Sequence, residues 1–309
     1  MVTSSTDCLF SLAQSYGFAK LRERHAVAFC YEYKTTKGQR VTCIRGFKME
    51  HKTLCFDVMD SIATITLDRP DNSANALNAR MAEELFDVGV QCGSPNIRAV
   101  ILTAAGKMFC GGGDLAEMDA VVDKPAHLTR MATLLHAGLT RLARIDAPVI
   151  VAVNGTAGGG GFSLVLSGDY VIASDRAKFV SAYTASGLTP DGSSTYYLAK
   201  HVGLLRAKEL ILTNRVLTAK EAQDWGLVNR VVAPEAVMDE ARALAADIAV
   251  GPTKAYGGVK RLLDTAFSEG LETQLDREAR SIADMMRTED GPAGIAAFLA
   301  KKTPHFKGK

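Results

Sequence analysis

The sequence has almost no net charge: 36 Lys and Arg stand against 34 Asp and Glu, leaving +2 over 309 residues. That balance removes the electrostatic case for nucleic acid or an anionic membrane surface as a main partner. No apolar run approaches the roughly 20 residues that a membrane-spanning helix needs. The six cysteines, Cys8, Cys30, Cys43, Cys55, Cys92 and Cys110, are scattered and form no C-x-x-C pair. This argues against a disulfide framework or a zinc site and for free thiols in a reducing compartment, so a cytoplasmic location is expected. Residues 1–10 lack a basic stretch followed by a long apolar one, so no secretory signal is expected. There is no internal repeat and no low-complexity tract. What remains is a chain of 47% hydrophobic and 23% charged residues, long enough to bury a sizeable core.

The pattern changes near residue 49. Residues 1–48 show no sustained period and are expected to be a poorly organised extension. Their basic and serine content leaves organelle targeting open, although Asp7, Glu23 and Glu32 weaken it. Residues 54–59 and 62–67 read as strands, with Asp60-Ser61 as the turn between them. A helix is predicted over 77–90, a buried strand over 98–103, an amphipathic helix over 127–144 and a second buried strand over 148–153. A short helix at 162–166 and a strand at 170–173 follow. Strands alternating with helices predict an α/β fold with parallel pairing. Beyond Val232 the pattern is helical: 234–250, 252–268, 271–286 and 292–301, three of these with proline at a position suited to the first turn. The expected division is an extension (1–48), a core (49–245) and a helical C-terminal region (246–309).

Two glycine runs carry the chemistry. Strand 98–103 leads to Gly111-Gly112-Gly113-Asp114, and strand 148–153 leads to Gly158-Gly159-Gly160-Gly161. Each precedes a predicted helix. Glycine lets the backbone approach a ligand closely, and a helix start leaves N–H groups unpaired at its positive end. Two such turns side by side make an oxyanion hole without side chains; either alone also serves as a tight turn. Neither is a phosphate-binding loop, because no Gly-Lys-Ser/Thr follows and no G-x-G-x-x-G is present.

The strings ITLDRPDNSANALN, KMFCGGGDL, APVIVAVNGTAGGGGFSLVLSGDYVIAS, RAKFVSAYTASGLTPDG and LTAKEAQDWGLVNRVV occur in this order. As an ordered set over residues 50–307 they resemble the crotonase (enoyl-CoA hydratase/isomerase) superfamily. The resemblance implies a ββα spiral core with a helical C-terminal region that covers coenzyme A and mediates oligomerisation, as a homotrimer or a dimer of trimers. It also implies an acyl-CoA thioester as substrate, with coenzyme A as part of that substrate and no separate cofactor or metal. The amides of Gly113 and Gly160 match the family's two oxyanion donors, with Gly111 and Gly112 beside them. Lys301 resembles a lysine that reaches the CoA phosphates, often across a subunit boundary; a solvated helix end is the plainer reading.

The hydratases of this superfamily use two glutamates, and the matching positions hold Ser163 and Tyr183. Both are poor general bases at neutral pH, so they are expected to line the acyl pocket. Asp191 sits where several isomerases of the superfamily carry their catalytic aspartate. One carboxylate suffices to shift a double bond, although aspartate is also a preferred cap for the helix predicted after it. His136 matches a catalytic histidine of the 4-chlorobenzoyl-CoA dehalogenase-like members, and Asp191 their nucleophile. A lone histidine on an amphipathic helix is otherwise simply packed or exposed. Asp114, Asp169 and Cys110 are given no catalytic role. The expected function is enoyl-CoA double-bond isomerisation in fatty acid metabolism. Hydration, aroyl-CoA dehalogenation and a non-catalytic CoA-binding scaffold are the alternatives.

Overall fold

The computed structural model describes residues 26–34, 40–49, 51–72 and 74–309. Contacts divide the chain into Met1–Glu50 and His51–Lys309. In the first unit β1 (Ala26–Lys34) pairs antiparallel with β2 (Arg40–Met49), the register shifting at Ala28/Phe29. This pairing lies within the segment expected to be a poorly organised extension. The rest of that extension lies outside the described residues.

The second unit is built on a six-stranded sheet. β3 (Leu54–Met59) and β4 (Ile62–Leu67) form a hairpin, and β4 pairs in parallel with β5 (Ala99–Ala104). Asp60 and Ser61 make its two-residue turn with φ of 51° and 66°, the left-handed values that match the strand twist. β7 (Val149–Val153), β9 (Tyr170–Ser174) and β12 (Arg230–Val232) continue the parallel set, giving the order β12-β9-β7-β5-β4-β3. Every residue of β5 and β7 is buried because both faces of the sheet are covered, which is why these strands read as unbroken apolar runs. Val100, Leu102, Val149 and Val151 face the larger core. Ala99, Ile101, Ile150 and Ala152 face the other way, against Val237, Ala241, Ala245 and Ala249 of a C-terminal helix.

A second sheet has four short strands: β6 (Met108–Cys110), β8 (Thr156–Gly158), β10 (Lys178–Val180) and β11 (Leu217–Thr218), in the order β11-β10-β8-β6. Three times in succession one strand in the large sheet is followed by one in the small sheet and then by a helix. That repetition is the spiral. The helices are α1 (Ala79–Gln91), α2 (Leu115–Ala120), α3 (Lys124–Arg144), α4 (Gly160–Leu166) and α5 (Ser194–Thr213, kinked at Gly203). Asn78 caps α1 by accepting Met81 N–H, and Asp123 caps α3 by accepting Ala126 N–H. α3 thus begins before residue 127, where the apolar period becomes visible. After α6 (Ala219–Asp224) come α7 (Val237–Ala249), α8 (Thr253–Thr265), α9 (Leu271–Met285) and α10 (Asp290–Leu299). No described helix is long and apolar enough to cross a membrane.

Candidate active site

β8 lies between β6 and β10 and runs parallel to both. That arrangement sets the two glycine runs side by side, since each begins as its strand ends. Gly112 has φ of 106°, and a Cβ there would lie 3.1 Å from the Gly158 carbonyl oxygen, so only glycine fits. Leu77 clips the first run in place: its N–H donates to Gly112 O at 2.7 Å and its carbonyl accepts Asp114 N–H at 2.8 Å. These bonds make a parallel bridge between Leu77 and Gly113. In such a bridge the N–H of the bridged residue points away from its partner, so Gly113 N–H faces outward. Gly160 is the first residue of α4, whose first helical bond is Ser163 N–H to Gly159 O at 3.1 Å. Its own N–H is one of the unpaired donors of a helix start. Among the described residues neither amide donates to a protein acceptor.

Both amides open onto one cavity of about 350 Å³. Met118, Leu128, Met131 and Leu135 supply its apolar wall, and Asp191 and Tyr183 lie on it. The first glycine turn is anchored by charge. Buried Arg69 donates to Asp114 Oδ2 at 2.7 Å and to Ala76 O at 2.9 Å, while Asp114 caps α2 by accepting Glu117 N–H. Burial alone would raise the Asp114 carboxyl, but the Arg69 and Glu117 hydrogen bonds hold it below the usual carboxylate range.

Asp191 does not cap the helix that follows it. The cap position is Ser193, without a side-chain hydrogen bond. The Asp191 carboxylate is instead approached on both oxygens: Tyr183 O–H donates to Oδ1 at 2.7 Å, and His136 Nε2 lies 3.3 Å from Oδ2. Its side chain is 35% exposed, so it remains open to the cavity. Burial, then the Asp191 charge, pushes the Tyr183 phenol far above its ordinary value, so it stays protonated.

Ser163 departs from the expected role. It is 0% exposed and does not reach the cavity wall. Its position on α4 turns the hydroxyl inward, 2.9 Å from Tyr183 Oη and 3.0 Å from the Asp191 carbonyl oxygen. His136 faces a second cavity of about 330 Å³ beside Gly192 and Ser193 rather than the one holding the glycine amides. Lys301 follows α10 with φ of 52° and is exposed, away from both cavities within this chain. Asp169 accepts Val149 N–H at 2.8 Å and pairs with Lys260, a structural role. Burial pushes the Cys110 thiol up to about 12, which leaves it inert beside the glycine turn. Two contributors escaped the sequence reading, Leu77 and Arg69. Arg69 carried a signal, a lone basic residue next to proline at the end of a buried strand.

The model of the enoyl-CoA hydratase/isomerase family matches residues 57–309. The chain is 39% identical to the 1,2-epoxyphenylacetyl-CoA isomerase of Escherichia coli over 82% of this chain and 97% of that protein. It is 36% identical to the 4-chlorobenzoyl coenzyme A dehalogenase-2 of an Arthrobacter species, over 79% of this chain and 89% of the relative. The crystal structure of enoyl-CoA hydratase from Bacillus anthracis superposes with a TM-score of 0.78 at 32% identity, covering 83% of this chain and all of that one. The chain therefore belongs to the enoyl-CoA hydratase/isomerase, or crotonase, family of acyl-CoA enzymes.

Proposed function

We propose that this enzyme shifts a carbon–carbon double bond in an enoyl-CoA thioester. One observation carries the reading: among the described residues, Asp191 is the only carboxylate that lines the cavity onto which the Gly113 and Gly160 amides open. The thioester oxygen accepts both N–H groups, which favours the dienolate over the neutral ester because negative charge develops on that oxygen. Asp191 takes a proton from the carbon chain and returns it at another carbon, so no net proton is consumed. Ser163 and Tyr183 stand where a two-glutamate hydratase carries its carboxylates, and neither hydroxyl activates water at neutral pH. Conversion of a 3-enoyl-CoA to its 2-enoyl isomer tests this. Activity is expected in the native protein and a loss of roughly 10²-fold or more in Asp191→Asn. Undiminished activity in that variant refutes the role of Asp191.

The His136–Asp191 approach of 3.3 Å favours one other reaction. In it Asp191 displaces halide from an aroyl-CoA, and His136 assists hydrolysis of the resulting ester. Halide release from 4-chlorobenzoyl-CoA, abolished by His136→Gln, would establish that reading instead. The ring-bearing substrate in the name of the Escherichia coli relative makes phenylacetyl-CoA derivatives part of the same screen. We also propose that residues 246–309 assemble the chain into a trimer or a dimer of trimers. Phe267, Leu271, Leu275, Ile282, Phe298 and Leu299 are exposed apolar side chains on that region. In that assembly Lys301 meets the CoA phosphates of a neighbouring subunit. Light scattering after size exclusion, and a raised KM in Lys301→Ala, check the two statements.

A further inference from the structure

The two carboxylate oxygens of Asp191 are held differently. Oδ1 receives the Tyr183 O–H at 2.7 Å. Oδ2 faces His136 Nε2 at 3.3 Å, but that nitrogen also accepts Gly192 N–H at 3.0 Å. A backbone N–H only donates, so Nε2 presents its lone pair and neutral His136 carries its proton on Nδ1. No proton then lies between Nε2 and an ionised Oδ2. The bond that fixes the carboxylate comes from Tyr183.

Tyr183 is itself fixed from behind. The phenol has one proton, and it is spent on Oδ1. The Ser163 hydroxyl then points its single proton between Tyr183 Oη at 2.9 Å and the Asp191 carbonyl oxygen at 3.0 Å, holding the phenol and the Asp191 backbone together. Ser163 is fully buried, so water does not compete for that contact. The backbone is bent to bring these groups together. Ala182, just before Tyr183, has φ of 58°, and Gly192 and Ser193, just after Asp191, have φ of 59° and 68°. Such left-handed conformations are unfavourable for a residue with a Cβ and persist where the surroundings over-determine them. At Gly192 a Cβ would stand 2.9 Å from Ser163 Cβ, so glycine is what lets the Asp191 loop close on the serine.

We propose that Tyr183, held by Ser163, is a positioning residue that occupies Oδ1 of Asp191 and leaves Oδ2 as the oxygen that carries the substrate proton. The proposal rests on the reading of Asp191 as the acid/base. It places a hydroxyl pair in a role that sequence comparison alone assigns to pocket lining. Without the phenol the carboxylate turns about its terminal torsion, and reactive geometries become rarer while substrate binding is unaffected.

The test is a double-mutant cycle of Tyr183→Phe and Ser163→Ala, read as kcat and KM for a 3-enoyl-CoA, with Asp191→Asn alongside and thermal melts to confirm folding. Tyr183→Phe is expected to lower kcat roughly 10–100-fold with KM within about twofold. Ser163→Ala lowers kcat by about 3–10-fold alone and by clearly less in the Tyr183→Phe background, because much of its effect passes through the phenol and only its contact with the Asp191 carbonyl oxygen remains. A Tyr183→Phe kcat within twofold of the parent overturns the proposal, as do losses that multiply across the cycle. Should Tyr183→Phe not fold, Ser163→Ala alone decides, and an unchanged kcat overturns it. An active Asp191→Asn overturns the acid/base reading and the proposal together. An inactive Asp191→Asn beside a fully active Tyr183→Phe overturns only the proposal.

Discussion

Adding one methyl group at Gly160 perturbs both oxyanion donors at once. A Cβ at this position would lie 2.6 Å from Leu77 Cδ1, where carbon atoms prefer about 3.5–4.0 Å, so Leu77 has to yield by about 1 Å. Leu77 is 2% exposed and also lines the cavity onto which the amides open, so a displaced Cδ1 moves against the core or into the substrate space. Its backbone is also the clip on Gly112 and Asp114, so whatever part of that shift reaches the backbone displaces the turn that presents Gly113 N–H. Overpacking of this kind costs about 1–3 kcal/mol of stability. A displacement of about 1 Å at a catalytic group costs on the order of 10²-fold in rate, comparable to losing one oxyanion donor. Gly160→Ala is therefore expected to lower kcat for enoyl-CoA isomerisation about 100-fold while the protein remains folded at 25 °C. The compensating change is Leu77→Ala, which removes the clashing carbon but keeps the backbone clip. The double variant should be more active than Gly160→Ala alone, although less stable than the parent. A Gly160→Ala enzyme with normal kcat, or a double variant with no recovery, would refute the assignment of these two amides to one oxyanion site.

Other consequences follow from the buried polar groups. Arg69→Met leaves Asp114 buried without its cation, and urea unfolding should show a loss of about 3–5 kcal/mol; a loss under about 1 kcal/mol contradicts the anchoring role. Burial works to raise the Glu84 carboxyl, but hydrogen bonds from Thr53, from the Lys52 and Thr53 amides and from Arg80 hold it lower than usual. A carboxyl depressed in the folded chain stabilises it above the unfolded value, about 4.3, and loses that contribution as pH falls through the folded value. The Tm of Glu84→Gln should therefore be lower than that of the parent at pH 7 and fall less steeply below about pH 4; parallel curves would contradict this. Burial pushes the thiols of Cys92 and Cys110 up to about 12, whereas Cys55 is exposed. Iodoacetamide under native conditions should label the Cys55 peptide and spare the other two until the protein is unfolded.

The large sheet could be read from sequence because β5 and β7 are buried on both faces and so appear as uninterrupted apolar runs. The Asp60-Ser61 turn and the C-terminal helices were legible for equally local reasons. The small sheet was not, since strands of two or three residues are too short to show a period. The glycine runs indicated an anion site, but the clip from Leu77 comes from a segment more than 30 residues earlier and leaves no local trace. Asp191 was legible as a chemical candidate and ambiguous as a helix cap; the cap position at Ser193 resolves it. Ser163 was misjudged because its distance from substrate depends on which side of α4 faces the Tyr183 segment, and burial of that kind is set by tertiary packing. Lys301 lines neither cavity of the single chain, and the role proposed for it rests on the proposed assembly.

The central claim is that Asp191 moves a carbon-bound proton next to a thioester held by Gly113 and Gly160. Proton exchange from a simple saturated acyl-CoA into deuterated water, followed by NMR, measures that step without requiring the natural acyl group. The account predicts exchange well above the uncatalysed rate in the native protein, and a fall of roughly 10²-fold or more in Asp191→Asn. No exchange with the native protein, or the same rate in both, would contradict it.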